Sequence, residues 1–206
     1  MKRIDLKDSK PSDSVTGPII IEGVAELMEL HGSRIKLRPI EKADYQRIIS
    51  WSQNAEIKHF SDSSYPTNIE ECEAWVASAR SNRYQIRFGI ALGNRIIGDI
   101  ELDQITWRSG DAELRIRIGE RDLWDRGYGT DAVITLLDYA FKIMNLQRIY
   151  LKVYADNLRA IKCYRKAGFK MEGKLTRSSL NQREIYLMRI LNREFRRRHE
   201  KLASNS

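Results

Sequence analysis

The segment Trp124-Asp125-Arg126-Gly127-Tyr128-Gly129-Thr130-Asp131 carries the clearest chemical signal in the chain. Glycines at i and i+2 let the backbone turn so that successive N–H groups point outward, a shape that cradles anions. A helical pattern starts at this turn, and its first residues add unpaired N–H donors and the positive end of a dipole. Arg126 brings one further positive charge. Together these suit a pyrophosphate, although a plain tight turn leading into a helix would read the same way. Other reactive groups are sparse. His31, His59 and His199 have no metal-ligand spacing, so no metal is expected. Cys163 as a nucleophile would need a base to activate it, and no histidine lies near it in sequence.

The elements that must position this turn are legible around it. Ile35 and Leu37 alternate with charges and stop at Pro39, which makes a short strand, and a helix follows around Glu41–Trp51. Thr67-Asn68-Ile69-Glu70 has capping-box spacing for a helix reaching about Ser81. Tyr84–Leu92 and Ile96–Leu102, joined by Gly93-Asn94, read as a hairpin. Ala112, Leu114, Ile116 and Ile118 alternate with Glu113, Arg115 and Arg117 as another strand. From Gly129 the period becomes helical, with Ala132, Val133, Leu136, Leu137, Ala140, Phe141 and Met144 on one face. Ile149, Leu151 and Val153 give a strand, Asn157–Ala167 a short helix ended by Gly168, and Phe169–Leu175 with Glu184–Leu191 two closing strands. Residues 1–33 read as an extension, partly ordered, with a β-like run at Ile19-Ile20-Ile21; residues 192–206 read as a basic, solvated tail. One domain over 34–191 is the expectation, since 206 residues are too few for two full cores.

Charge narrows the partners. The net charge is +8, and because residues 1–33 carry −2 and residues 192–206 carry +3, the body 34–191 holds +7. Such a field draws anionic partners and disfavours a free polycation unless an acidic pocket inverts it. No apolar run reaches the roughly 18 residues of a membrane span, and no apolar stretch follows the basic residues of Met1–Asp8, so neither membrane nor secretory leader is expected. Two cysteines, Cys72 and Cys163, make no disulfide framework, which points to the cytoplasm.

Strand, Gly-x-Gly turn, long helix, strand, short helix, Gly-Phe and hairpin, in that order, resemble the GNAT superfamily of N-acetyltransferases. The matching residues are Arg126-Gly127-Tyr128-Gly129-Thr130, Asn157-Leu158-Arg159-Ala160-Ile161 and Tyr164-Arg165-Lys166-Ala167-Gly168-Phe169. Leu37-Arg38-Pro39-Ile40 with Asp44 is similar to the opening of the ribosomal-protein N-terminal acetyltransferase branch. Phe141-Lys142-Ile143-Met144-Asn145-Leu146 with Ile149-Tyr150-Leu151 is similar to the spermidine acetyltransferases. The resemblance spans roughly 34–191 and implies a mixed α/β domain, with helices around a mostly antiparallel sheet whose central strands splay to admit acetyl-CoA.

By the same resemblance, pyrophosphate contacts fall on the backbone from Arg126 to Thr130, and Ile116 and Ile118 lie on the strand that pairs with pantetheine. Asn157 is then a pantetheine contact, and equally a plain N-cap. Trp124 stands where the superfamily often has Gln or Arg, and Asp125 where the nearby branch often has Gly; an acid beside phosphates is unfavourable, so Asp125 is expected to point away. The resemblance puts Tyr164 at the general acid that protonates the departing thiolate; packing with Leu158 and Ile161 is the alternative. The base is open between Glu113 and Glu101, either of which could instead pair with Arg115 or Arg117. Trp51, His59, Phe60 and Tyr65 are expected on the substrate side.

The expected reaction is direct acetyl transfer to a primary amine, first choice a protein N-terminal α-amine, whose pKa near ~8 leaves about a tenth neutral at pH 7. A lysine-like amine near ~10.4 asks for about 4 kcal/mol more. A polyamine, an amino sugar, an aminoglycoside, or a non-catalytic acetyl-CoA-binding module remain as alternatives. Gly127-Tyr128-Gly129-Thr130-Asp131-Ala132 also satisfies a dinucleotide fingerprint, but residues intervene between it and Ile118, and too little chain follows for a doubly wound sheet. The basic body and Arg196-Arg197-Arg198 raise RNA binding, yet no stacking aromatics stand at recognisable spacing, so RNA is not required. A monomer or a homodimer fits equally.

Overall fold

The computed structural model describes residues 28–60, 65–176 and 183–203. Ile19-Ile20-Ile21 lies outside them. The elements run β1 (Leu30–His31), β2 (Lys36–Arg38), α1 (Tyr45–Trp51), α2 (Ala55–Phe60), α3 (Ile69–Arg80), β3 (Ile86–Leu92), β4 (Arg95–Thr106), β5 (Asp111–Ile118), α4 (Tyr128–Lys142), β6 (Arg148–Tyr154), α5 (Leu158–Ala167), β7 (Lys170–Thr176), β8 (Glu184–Leu191) and α6 (Asn192–Ala203). The strands form one eight-stranded sheet in the order β1-β2-β3-β4-β5-β6-β8-β7. All pairings are antiparallel except β5 with β6. This is the mixed α/β architecture with a mostly antiparallel sheet that the resemblance implied.

Alternation along the strands builds two cores. Leu37, Phe88, Ile97, Ile100 and Leu114 meet Leu136, Leu137 and Phe141 of α4 on one face. Ile96 meets Tyr45, Ile48 and Trp51 of α1 and Val76 of α3 on the other. Arg38 makes a two-pronged bond to Asp44, at 2.7 and 2.8 Å, which fastens the end of β2 to the start of the first helix. Two close approaches depend on glycine. A Cβ at Gly98 would overlap the Arg117 carbonyl oxygen on β5, and one at Gly119 would overlap the Trp51 indole.

Three boundaries differ from the sequence reading. The sheet begins before Arg34, because Leu30 and His31 pair with Leu37 and Lys36. The cap of α3 is one residue later than expected: Asn68 accepts from the Glu71 N–H at 2.9 Å, while Thr67 donates to the Glu71 carboxylate. The third concerns the tail. Residues after 191, expected to be a solvated end, form α6, with Phe195 1 % exposed and its ring 5.3 Å from Phe141. Asn192 supports the turn by donating to the Leu146 carbonyl at 2.9 Å. The run of arginines hid one apolar anchor. Phe195→Ala is therefore expected to lower unfolding free energy by about 3–5 kcal/mol in urea denaturation, whereas a solvated tail would give no change.

Candidate active site

Strands β5 and β6 pair at only three positions, Asp111 with Arg148, Ala112 with Ile149 and Glu113 with Tyr150. Beyond Glu113 they part, while β4 stays paired with β5 as far as Ile118. A cleft of about 270 Å³ opens at the diverging end of β5, walled by Ile116 and Ile118, the loop before α4, the first turn of α4, α5 and α2. The Gly119 N–H donates to the Ile97 carbonyl at 2.9 Å. Ladder bonds in an antiparallel pair fall on alternate residues, so the peptide groups of Ile118 and Ile116 face the wedge instead. The Trp124 indole takes up the Ile118 carbonyl at 2.8 Å.

The turn into α4 has the predicted cradle shape. Gly127 occupies the N-cap with φ 86°, and Asp125 has φ 58°, a left-handed value that acidic and amide side chains tolerate. The first i→i−4 bond of α4 runs from Asp131 to Gly127 at 3.0 Å, so the N–H groups of Tyr128, Gly129 and Thr130 have no helical acceptor. Gly127, Tyr128, Gly129 and Thr130 all line the cleft. Arg126 does not; its carbonyl faces away and accepts from Arg34. Asp125 also belongs to the wall. Three N–H groups without a helical acceptor at a helix N-terminus suit a pyrophosphate on backbone grounds alone.

Helix α5 closes the opposite side. Asn157 caps it, accepting from the Ala160 N–H at 3.1 Å, and the residue also belongs to the cleft wall. Tyr164 lines the cleft at 6 % exposure with its ring 5.8 Å from Phe169. Among the described residues its hydroxyl makes no hydrogen bond. Burial raises its pKa well above the ordinary phenol value, which keeps the proton on the oxygen at neutral pH. Cys163 faces the same space, accepting from the Thr130 hydroxyl at 3.4 Å, and burial likewise pushes its thiol up, away from a reactive thiolate.

The two carboxylates expected as bases are elsewhere. Glu101 and Glu113 are buried, and neither lines the cleft. Glu101 is bonded to Arg87 and Gln85, and Glu113 to Arg115, Lys152 and Gln104. Alternation put them on strands β4 and β5 correctly, but on the face that carries α3 rather than in the wedge. The acids on the cleft wall are Glu56 and Asp125 among the described residues. Glu56 sits on α2, a six-residue helix too short to show a period, which is why it went unread. Its carboxylate lies 3.4 Å from Arg159 and 3.6 Å from Arg121. Arg159 in turn stacks 3.7 Å over the Trp124 ring. Arg117, unassigned in the sequence, also reaches the wall; it is clasped by Asp99 and lies 3.9 Å over Tyr65. Of the aromatic residues expected near the substrate, Phe60 lines the cleft, while Trp51 and Tyr65 are core residues packed 5.2 Å apart. His59 is half exposed, 3.7 Å from Asp156.

A splayed sheet, an anion-binding turn at its mouth and a buried tyrosine facing the gap define a class, and comparison with known proteins agrees. The model of the Acetyltransferase (GNAT) domain matches residues 34–170, so the chain belongs to the GNAT acetyltransferases and is an acetyl-CoA-dependent N-acetyltransferase. It is 30 % identical over 142 residues to spermidine N(1)-acetyltransferase of Escherichia coli K12, covering 68 % of this chain and 75 % of that protein. The corresponding Vibrio cholerae enzyme is 28 % identical over 144 residues, 69 % of this chain and 83 % of the relative. A crystal structure of spermidine N-acetyltransferase from Vibrio cholerae in complex with CoA and spermine superposes with a TM-score of 0.71 at 26 % identity, covering 79 % of this chain and 98 % of that one.

The site separates direct transfer from a route through an acetylated thiol. Cys163→Ala is expected to keep turnover within about threefold of the unaltered protein in a thiol-release assay, because a covalent nucleophile would cost orders of magnitude.

Proposed function

We propose that this protein transfers acetyl from acetyl-CoA directly to a primary amine of a small polyamine-like acceptor, with Tyr164 as general acid. The observation that carries the direct route is the buried, protonated Tyr164 facing the wedge, its hydroxyl without another partner among the described residues. Pantetheine would lie along Ile116 and Ile118, extending the ladder that β6 abandons, and the pyrophosphate on the N–H groups of Gly127 to Thr130. Asn157 then offers its amide N–H groups to the pantetheine arm while its oxygen caps α5. Arg126 leaves this set, since its carbonyl is turned outward and its residue is absent from the wall.

In the reaction a neutral amine nitrogen attacks the thioester carbonyl carbon, the C–S bond breaks, and the sulfur takes a proton from the Tyr164 hydroxyl. The amine loses its own proton to water, from which the tyrosine is restored. A phenol that holds its proton through the neutral range has one to give as charge develops on the departing sulfur. For an amine near pKa ~10.4, deprotonation asks for more help than for an α-amine. Glu56 is the carboxylate offered for that in place of Glu101 and Glu113, acting directly or through water from the cleft wall.

The relatives named for spermidine support the polyamine acceptor over the N-terminal α-amine expected first. One observation favours the α-amine as second reading: the body over residues 34–191 carries a net charge of +7. A polycation gains nothing from such a field.

Thiol release should be followed with spermidine, spermine, amino sugars, an aminoglycoside, and peptides with Ser, Ala or Met N-termini, each with and without Tyr164→Phe. Turnover is expected on the polyamines, cut about tenfold or more by the substitution. Turnover on peptides alone would move the acceptor to the second reading. An unaffected Tyr164→Phe enzyme would remove the acid from its role.

A further inference from the structure

The phosphate cradle does not hold its own shape; a turn from the other end of the domain holds it. Between β1 and β2, Gly32 donates to the Ile35 carbonyl at 2.9 Å and presents three successive N–H groups to one carboxylate on α4. Asp131 accepts from Ser33 at 2.9 Å, from Arg34 at 2.6 Å and from Ile35 at 3.2 Å. The approach is close enough that a Cβ on Gly32 would fall 2.7 Å from the Thr135 hydroxyl and 2.9 Å from the Asp131 carboxylate. This acid in the first turn of α4 is thereby engaged by backbone donors rather than left facing an incoming phosphate.

The turn then reaches back with a side chain. Arg34 donates from Nη1 to the Arg126 carbonyl at 2.7 Å, and its guanidinium lies 4.3 Å over the Tyr128 ring. A trans peptide unit is planar, with its C=O and N–H directed to opposite sides. Holding the Arg126 carbonyl outward therefore aims the Gly127 N–H inward, and Gly127 is a cleft residue. Arg126 sits between two left-handed residues, Asp125 at φ 58° and Gly127 at φ 86°, where a backbone without such a tether has other conformations to visit.

We infer that Arg34, anchored through Asp131, is a positioning residue that presets the N–H groups of the cofactor loop for the pyrophosphate. The inference rests on the reading of that loop as the pyrophosphate site. Arg34 touches neither the amine nor the thioester, so its effect belongs to the nucleotide half of the donor and not to the chemical step.

Calorimetric titration of CoA, with melting temperature checked in parallel, should show Arg34→Ala weakening affinity by about tenfold, the scale of one hydrogen bond from a charged donor. At saturating acetyl-CoA the kcat should be unchanged, and the rate with S-acetylpantetheine, which lacks the pyrophosphate, should be unchanged as well. Arg34→Lys keeps the charge but not the planar face, and should fall between the two proteins. Unaltered CoA affinity in Arg34→Ala would overturn the inference, and equal losses with both donors would reduce Arg34 to a general structural role. Failure of the unaltered protein to bind CoA would instead overturn the reading of the loop itself.

Discussion

Strands β5 and β6 hydrogen-bond over Asp111–Glu113 and then part, which leaves the Ile116 peptide groups and the Ile118 N–H facing a gap in the middle of the sheet, the Ile118 carbonyl being taken by the Trp124 indole. Backbone donors and acceptors in such a place must be satisfied by something. A pantetheine arm, with its two amides, has the shape and the polarity of a missing strand. The rest of the molecule follows from keeping that gap open. The β4–β5 pair needs Gly98 to approach the Arg117 carbonyl, α4 must begin beside the end of β5, and α5 must wall the other side with Tyr164. Parallel pairing permits the divergence, because β5 and β6 are joined by a helix rather than by a hairpin that would hold their ends together.

On the face with α3, charge alternates with charge. Asp99 holds Arg117, Glu101 holds Arg87, and Glu113 holds Arg115 and Lys152, with Tyr65 and Trp75 stacked among the guanidinium groups. Arg87 and Glu101 are each only 8 % exposed along the side chain, so neither can be lost without leaving a buried charge uncompensated. Carboxylates paired in this way tie neighbouring strands together beside the cleft, and neither Glu101 nor Glu113 lines it. On α2, by contrast, Glu56 stands on the cleft wall with longer, partly solvated ion pairs.

Most of the sheet was legible because its strands alternate and its turns carry Gly93, Gly127 and Gly168, all at positive φ. The turn, the helix start and the N-cap that line the cleft were legible for the same local reason, since each is determined by neighbours in sequence. The outlook of the strand carboxylates was not. Which face of β4 or β5 looks into the wedge depends on where β6 leaves, a fact about pairing between distant segments, and so Glu101 and Glu113 were placed on the right strands with the wrong outlook. Arg34 and Asp131 are separated by 97 residues, and nothing local in either announces the other. α6 was missed because composition outweighed one phenylalanine.

The central claim is that the wedge between β5 and β6 receives the cofactor. Amide hydrogen exchange with and without CoA tests it directly. The account predicts slowed exchange at Ile116, at Ile118 and from Gly127 to Thr130, with little change along β7 and β8, where every strand already has its partner. Protection confined to other segments, with the amides of Ile116 and Ile118 exchanging as before, would contradict it.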